Sequence, residues 1–471
     1  MLFVNVRGEG LSLDRVRAEL RFPERGEGWI RVRLYPQVPV VTAFDMPFEW
    51  TLTGDVTDVG GTVVTHVEAP RVWTRDVGYL TWDRDTTDTT VKGCADEVTL
   101  THLSRFKGDS SKKQLTYFLS PGPALRSARI VTRRKSGAAN ARTMRRAAVP
   151  LTGRERLTFL AHEGWEGKKQ KKSRSILVGK VRSSRTAPSV LPEVEDVLAL
   201  ASVAMRHRVV CTGWAQAGTG GLVECFRGNV RVPRQDPWDE NNALVPQEHL
   251  AGFLVKAHGR LRHSPQAALL RQVAQQVVPR RREGIDQRFT RLFSALESIV
   301  LFWSRARKRE HILSKKQYRA VRRAVQEALT RHVRSKDKRS AVEQKLGELN
   351  RPAIAASFLQ TCRQANVALD DLWPLDNRDG LGLTGIRNKF SHGEHVPYHP
   401  GLETAGDHLQ WTVERLLLAT LGWPIEKTRV RPESLGFLVA YGSWSEERKA
   451  LTRATAKETN NATGATDSGT V

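Results

Sequence analysis

The sequence predicts an α+β chain: a β-rich N-terminal domain of sandwich or barrel-like type, a helical linker region, and a C-terminal all-α helical bundle. Three observations predict it. Apolar residues alternate at period two up to about residue 185 and take helical spacing from about Leu191 onward. In the first part many short runs are separated by turn residues, the pattern of a sandwich or barrel-like domain. The length, 471 residues, exceeds one ordinary core and calls for two or three domains.

Residues 1–185 are expected to form the β domain. In "WIRVRLYP", Ile30, Val32 and Leu34 alternate with Arg31 and Arg33, the pattern of a half-buried strand. "DEVTLTHL" and "QLTYFL" behave alike, "TDVGGTVVTHV" sets a Gly60-Gly61 turn before a valine-rich strand, and "RDTTDTTV" is a strand edge or turn. "RRKSGAANARTMRR" and "EGKKQKKSRS" are expected as exposed basic loops of this domain. Residues 186–284 are expected as a mostly helical connector. Val194, Val197, Leu198 and Ala201 recur at helical spacing with Pro192 near the first turn, and a glycine-turned hairpin follows from Arg208. The "GTGG" of that hairpin lacks the Lys-Ser/Thr of a phosphate-binding loop. Residues 285–425 are expected as the bundle. Residues 445–471, rich in Thr, Ala and Asn without apolar periodicity, are expected as a disordered tail.

Charge and cysteine usage narrow the function. The net charge is +25, and it is not spread evenly. Leu125 to Arg185 holds 18 Lys/Arg against 3 Asp/Glu, and Arg281 to Asn350 holds 19 against 8, so the remainder is nearly neutral. Charge gathered this way points to a polyanionic partner. No run of 18 apolar residues occurs, so no membrane span is expected, and the first residues lack the layout of a secretory signal. Four scattered cysteines offer neither a disulfide framework nor a zinc ribbon, which fits a reducing cytoplasm.

Within the bundle, "DQRFTRLFSALESIVLFW" places Phe289, Leu292, Phe293, Leu296, Val300 and Trp303 on one wide apolar face. Glu297 lies on or beside that face, where a carboxylate must be paired, protonated or able to reach water. "LGLTGIRNKFSHG" is expected as a short helix through Ile386 and Phe390, closed by Gly393. Asn388 and His392 share a face. Arg387 and His392 are roughly 140° apart on an ideal helix, so they converge only at the helix end or through distortion. RNA supplies its own nucleophile, the 2′-hydroxyl. An Arg to steady phosphate charge and a His to move protons would suffice, with no metal. Taken alone, the hexapeptide arises often by chance, and a helix-capping histidine is its commoner explanation. In the following loop, His392, His395 and His399 with Glu394 also suggest a metal cluster, although Pro397 and Pro400 break the spacing. The basic stretch from Arg305 to Arg339 is expected to bury Ile312, Leu313, Tyr318, Val321, Val325 and Leu329 as a stripe, with cations flanking the bundle.

"RNKFSH" resembles the R-x4–6-H motif of HEPN-superfamily ribonucleases, including the polar residue after the Arg. "RFTRLFSALESIV", "DDLWPL", the closing "HG" and "VERLLLATLGWP" resemble the ApeA-like antiphage branch of that superfamily, over about residues 285–425. The resemblance implies a HEPN-like bundle that dimerises with two motifs at the interface. It implies metal-independent endoribonuclease activity in an antiphage (abortive infection) system, leaving a 2′,3′-cyclic phosphate. Carried over, His392 is the general acid/base, Arg387 stabilises phosphorane charge, Asn388 orients the phosphate, and Glu297 holds Arg387. It implies RNA as substrate, with tRNA among the candidates, a homodimer or higher homo-oligomer, a phage-derived trigger bound by the N-terminal domain, and neither cofactor nor metal. The competing expectation is a non-catalytic nucleic-acid-binding or ligand-sensing protein that uses the bundle only to dimerise.

Overall fold

The computed structural model describes residues 2–9, 11–22, 29–35, 49–58, 62–82, 86–103, 113–120, 129–133, 139–143, 148–163, 175–218, 221–228, 230, 242–280, 283–394, 396 and 398–464. The chain divides into two compact units, Met1–Gly259 and Arg260–Val471.

The first unit is built on strands β1 (Leu2–Gly8), β2 (Leu11–Arg21), β3 (Ile30–Tyr35), β4 (Glu49–Thr57), β5 (Val63–Trp82), β6 (Thr86–Ala95), β7 (Glu97–His102), β8 (Lys113–Leu119), β9 (Arg129–Arg133), β10 (Ala139–Thr143), β11 (Ala148–Pro150), β12 (Arg156–Glu163) and β13 (Ser175–Ser183), then helix α1 (Ala187–Met205), β14 (Cys211–Gly218), β15 (Gly221–Arg227) and α2 (Gln247–Arg262). β9 and β10 form a separate ribbon; the other thirteen strands form one antiparallel sheet that forks at β5. On one edge Val63–Trp73 of β5 pairs with β4. On the other, Thr65–Glu68 pairs with β7 and Val72–Trp82 pairs with β6. Pro70 sits between those two partners, where its missing N–H costs no ladder bond.

Because β6 also pairs with β3, the branch β5-β4-β1-β2-β3-β6 closes on itself as a six-stranded barrel. Its interior holds Val4, Val6, Ile30, Leu34, Leu52 and Trp50, all essentially inaccessible. Gly93 leaves room for the indole: a Cβ there would stand 2.9 Å from the Trp50 ring and 2.8 Å from Val72. The other branch continues as an open sheet, β7-β15-β14-β8-β13-β12-β11. Helix α1 belongs with it, held at its start by Tyr117, whose hydroxyl donates to the Ala187 carbonyl (3.0 Å), and by Gln216, which accepts from the Ala187 N–H (2.9 Å). It begins a turn before the expected Leu191, with Pro188 and not Pro192 in its opening positions. Period two in β3 and β8 predicted these strands correctly, and the barrel, rather than a sandwich, is what the register builds. "RDTTDTTV" contributes β6, and "ANART" within the expected basic loop is β10. The Gly60-Gly61 turn and residues 164–174 of the second basic loop lie outside the described residues.

The boundary expected at 185 and again at 284 is therefore misplaced. The β14–β15 hairpin inserts between β8 and β7, so it is part of the sheet and not of a connector.

The second unit is helical: α3 (Ala267–Val277), α4 (Ile285–Ala306), α5 (Lys315–His332), α6 (Lys336–Leu349), α7 (Ile354–Ala365), α8 (Leu383–Ser391), α9 (Pro400–Thr420), α10 (Pro432–Leu435) and α11 (Val439–Gly464). α4 is the hub, packing on α3, α7, α8 and α9, while α11 covers α9. Phe289, Leu292, Phe293, Leu296 and Val300 are buried as predicted; Trp303, at the end of the stripe, is half-buried and donates from Nε1 to Thr420 (3.0 Å). α9 is buried on almost every side. Arg415 lies inside, 2% exposed, holding Asp371 through two bonds of 2.7 Å and the Val430 carbonyl at 2.7 Å.

Two expectations are overturned here. Residues 445–464 are not a disordered tail but the body of α11. Its Leu451 is fully buried, Arg448 donates to the carbonyls of Gly380 and Leu381 (both 3.1 Å), and the Thr452 hydroxyl accepts from Leu381 N–H (2.9 Å). Polar side chains fasten this helix, which is why no apolar period announces it. Nor is the α5 stripe buried: no α5 residue is, Ile312 and Val321 are exposed, and Leu313, Tyr318, Val325 and Leu329 are only partly covered. Among the described residues no helix is long and apolar enough to cross a membrane.

Candidate functional site

Helix α8 presents the Arg-Asn…His motif, and both of its ends are fixed locally. At the start, the N–H groups of Leu383 and Thr384 donate to the carbonyls of Pro374 and Leu375 (3.0 Å each), and Asn377 accepts from Gly382 N–H (2.7 Å). At the finish, Gly393 takes φ of +68°, its N–H donates to Phe390 and that of Glu394 to Lys389. These are the two crossed bonds that terminate a helix at a left-handed glycine. A Lys389–Glu394 ion pair (2.8 Å) spans the same closure. Lys389, and then the nearby His392, hold the Glu394 carboxyl below its ordinary value.

One face of α8 packs on α4. Ile386 is fully buried, and Phe390 meets Phe289 edge to face with centroids 5.8 Å apart. That contact sets Arg387 over α4. Its guanidinium lies above the Phe293 ring (5.4 Å to the centroid), Nη2 donates to Glu297 Oε1 (3.1 Å), and Nη1 donates to Asn388 Oδ1 (3.1 Å). Two of five N–H donors are thus engaged, and three remain for a ligand. The side chains of Arg387 and Glu297 are 37% and 43% exposed. Glu297 is therefore no buried carboxylate in need of rescue. It stands at the wet edge of the apolar stripe, and its reach to Arg387 is an open-air ion pair.

Arg387 thus contacts both Asn388 and Glu297. His392 joins them only through its backbone N–H, which donates to the Asn388 carbonyl (2.9 Å). Its imidazole is exposed at the position just past the helix, with no hydrogen-bond partner among the described residues. Five residues separate it from Arg387, about 7.5 Å along the axis. An anion bridging the two would lie against the end of α8, the arrangement the spacing required.

In the loop considered for a metal cluster, His392 and Glu394 flank the glycine that closes α8. His399 is the N-cap of α9, its Nδ1 accepting from Gly401 N–H (2.9 Å), and His395 lies outside the described residues. Among the described residues, no group of three or more His, Cys, Asp or Glu is placed to hold a metal ion.

Sequence reasoning missed the polar core of the helical unit. His408, fully buried, accepts at Nδ1 from the Trp373 N–H (3.0 Å) and donates from Nε2 to the Ala440 carbonyl (3.0 Å), so it is the neutral Nε2–H tautomer; burial lowers its basicity. Asp371 binds Arg415 and the Tyr441 hydroxyl (2.8 Å). Burial alone would raise the Asp371 carboxyl, but Arg415 and then Tyr441 outweigh it, leaving the group below its ordinary value. On the far side of α4, Arg291 and Glu283 form a buried pair at 2.6 Å. The only hint in the sequence was Asp371 within "DDLWPL". Comparison of the chain with models of known families, with curated proteins and with solved structures found no match.

Proposed function

We propose that the C-terminal unit is a HEPN-type, metal-independent endoribonuclease serving an antiphage defence role in the cytoplasm, and that it works as a homodimer. The observation that carries this reading is Arg387: a guanidinium steadied by Phe293 and Glu297 yet open to a ligand, set one turn and a half from an exposed imidazole at the helix end. The RNA 2′-oxygen attacks the adjacent phosphorus and the bond to the 5′-oxygen breaks. One imidazole takes the 2′-hydroxyl proton, and a second, His392 of another copy, protonates the departing 5′-oxygen. Arg387 offsets charge on the phosphorane, and the free amide of Asn388 orients a phosphate oxygen. Glu297 keeps Arg387 aimed. The products are a 2′,3′-cyclic phosphate and a 5′-hydroxyl. The nucleophile comes with the substrate, so the residues present suffice. The β unit is then the sensor for a phage-derived trigger.

The test is single-turnover cleavage of structured RNA in EDTA by the purified chain and by His392→Ala, with the new ends identified. The parent should yield cyclic-phosphate ends and the variant should yield none. Equal cleavage by both would remove His392 from the chemistry, and tight RNA binding without cleavage by the parent would favour the purely dimerising bundle.

A further inference from the structure

The α5–α6 hairpin is electrostatically unlike the rest of the unit. Its base is tied by Asn350, which accepts from Ile312 and Leu313 N–H (2.9 and 2.7 Å) and donates to the Leu313 carbonyl (3.2 Å). Beyond that, α5 packs on α6, with the Tyr318 hydroxyl donating to the Leu346 carbonyl. No α5 residue is buried, so its sequence is free of core demands. What it carries instead is a band of cations. Lys315, Lys316, Arg319, Arg322 and Arg323 fall within an arc of about 120° on an ideal helix. Four of them, with Ala320, line a shallow depression of about 420 Å³.

This band works against the helix that bears it. Lys315/Arg319 and Arg319/Arg323 are like charges four residues apart, and Lys316/Arg319 and Arg319/Arg322 three apart; both spacings repel. The first turn contains lysines and no acid, the wrong sign for a helix start. None of the five has an ion-pair partner among the described residues. A local cost without local compensation implies a compensating partner, and its charge must be negative and extended. The arc contains no aromatic ring on which a base could stack; Tyr318 is turned to α6. Such a face reads phosphates and helical shape, not bases.

We infer that α5 is a docking face for the phosphodiester backbone of double-helical RNA, gripped without regard to sequence. The choice of RNA among polyanions rests on the ribonuclease reading above; the charge argument does not.

The test measures binding alone. In a His392→Ala background with EDTA, the dissociation constant of an RNA hairpin is followed from about 50 to 200 mM salt, the range over which phosphate contacts are read as a salt slope. Each lost phosphate contact should flatten the log–log slope by about 0.9, so replacing all five cations by Gln should flatten it by up to about 4.5. A hairpin of scrambled sequence should bind equally. Lys315→Glu/Lys316→Glu supplies the control for folding: it should hold or raise the melting temperature while weakening binding, a split that a merely structural role cannot produce. An unchanged slope in the Gln variant, or a strong preference for one sequence, overturns the proposal. So does binding to phosphatidylserine vesicles that depends on the five cations while RNA binding does not. Failure of the nuclease reading shows separately, as intact RNA in the His392-containing parent.

Discussion

Glu297→Gln separates what the Arg387 ion pair does for the fold from what it does for chemistry. At 3.1 Å, two unit charges in a water-like dielectric attract by about 1.3 kcal/mol. Both side chains are more than a third exposed, so screening and the entropy of fixing two long chains reduce the net to about 0–1 kcal/mol. In a unit of this size that is a fall in melting temperature of at most about 2–4 °C. The same substitution frees the guanidinium to leave its place above Phe293. Misplacement of a catalytic cation by about 1 Å costs on the order of 100-fold in rate.

The assay is therefore a pair: calorimetric melting, and single-turnover RNA cleavage. Glu297→Gln should be nearly silent in the first and lose one to two orders of magnitude in the second. Arg387→Ala should lose about 100- to 1,000-fold, the loss typical of removing one donor to a developing oxyanion. If Glu297 acts only by aiming Arg387, adding Glu297→Gln to Arg387→Ala should change the rate by less than about twofold. Multiplying losses in the double variant, or an activity loss that merely tracks melting temperature, would refute the positioning role.

Two further predictions concern the polar core. Asp371→Asn leaves the buried Arg415 charge without its carboxylate and should cost about 3 kcal/mol in urea unfolding, and the acid-side loss of stability expected of the parent below about pH 4 should diminish. The sign follows from the lowered carboxyl: its stabilisation is complete above the unfolded value and disappears as pH falls through the folded one. His408 behaves as a base whose folded form resists protonation, so below about pH 6.5 the unfolded chain takes up a proton that the folded chain refuses, and stability falls as pH falls. His408→Gln should flatten the melting-temperature slope between neutrality and pH 5; an unchanged slope would show that another group governs it.

How far the fold was legible depended on which force built each element. Where one face is buried and the other wet, as in β3 or the first three turns of α4, alternation or the 3.6 period marks the element plainly. α11 is held by Arg448, Thr452 and Glu447 reaching neighbouring backbone and side chains, contacts that follow no period, so it read as a polar tail. The β14–β15 hairpin was visible as a hairpin, but its place between β7 and β8 is set by pairings 92 to 130 residues away in sequence, beyond any local signal. α5 misled in the opposite way: its apolar period is real, yet it serves one neighbouring helix and no core.

The site divides along the same line. The glycine closure of α8 was legible because only the residues around Gly393 decide it. That Arg387 meets Glu297 follows from the burial of Ile386 and the packing of the half-buried Phe390 on Phe289, which orient α8 on α4 and thereby choose the residue facing the carboxylate. Spacing alone does not decide whether Arg387 and His392 address a common ligand; the helix end bears on it directly. α8 stops at Ser391 with His392 as its C-cap, and because the His392 N–H still bonds the Asn388 carbonyl the residue keeps its helical position, roughly 140° round from Arg387, so a ligand common to both would have to sit at the helix end.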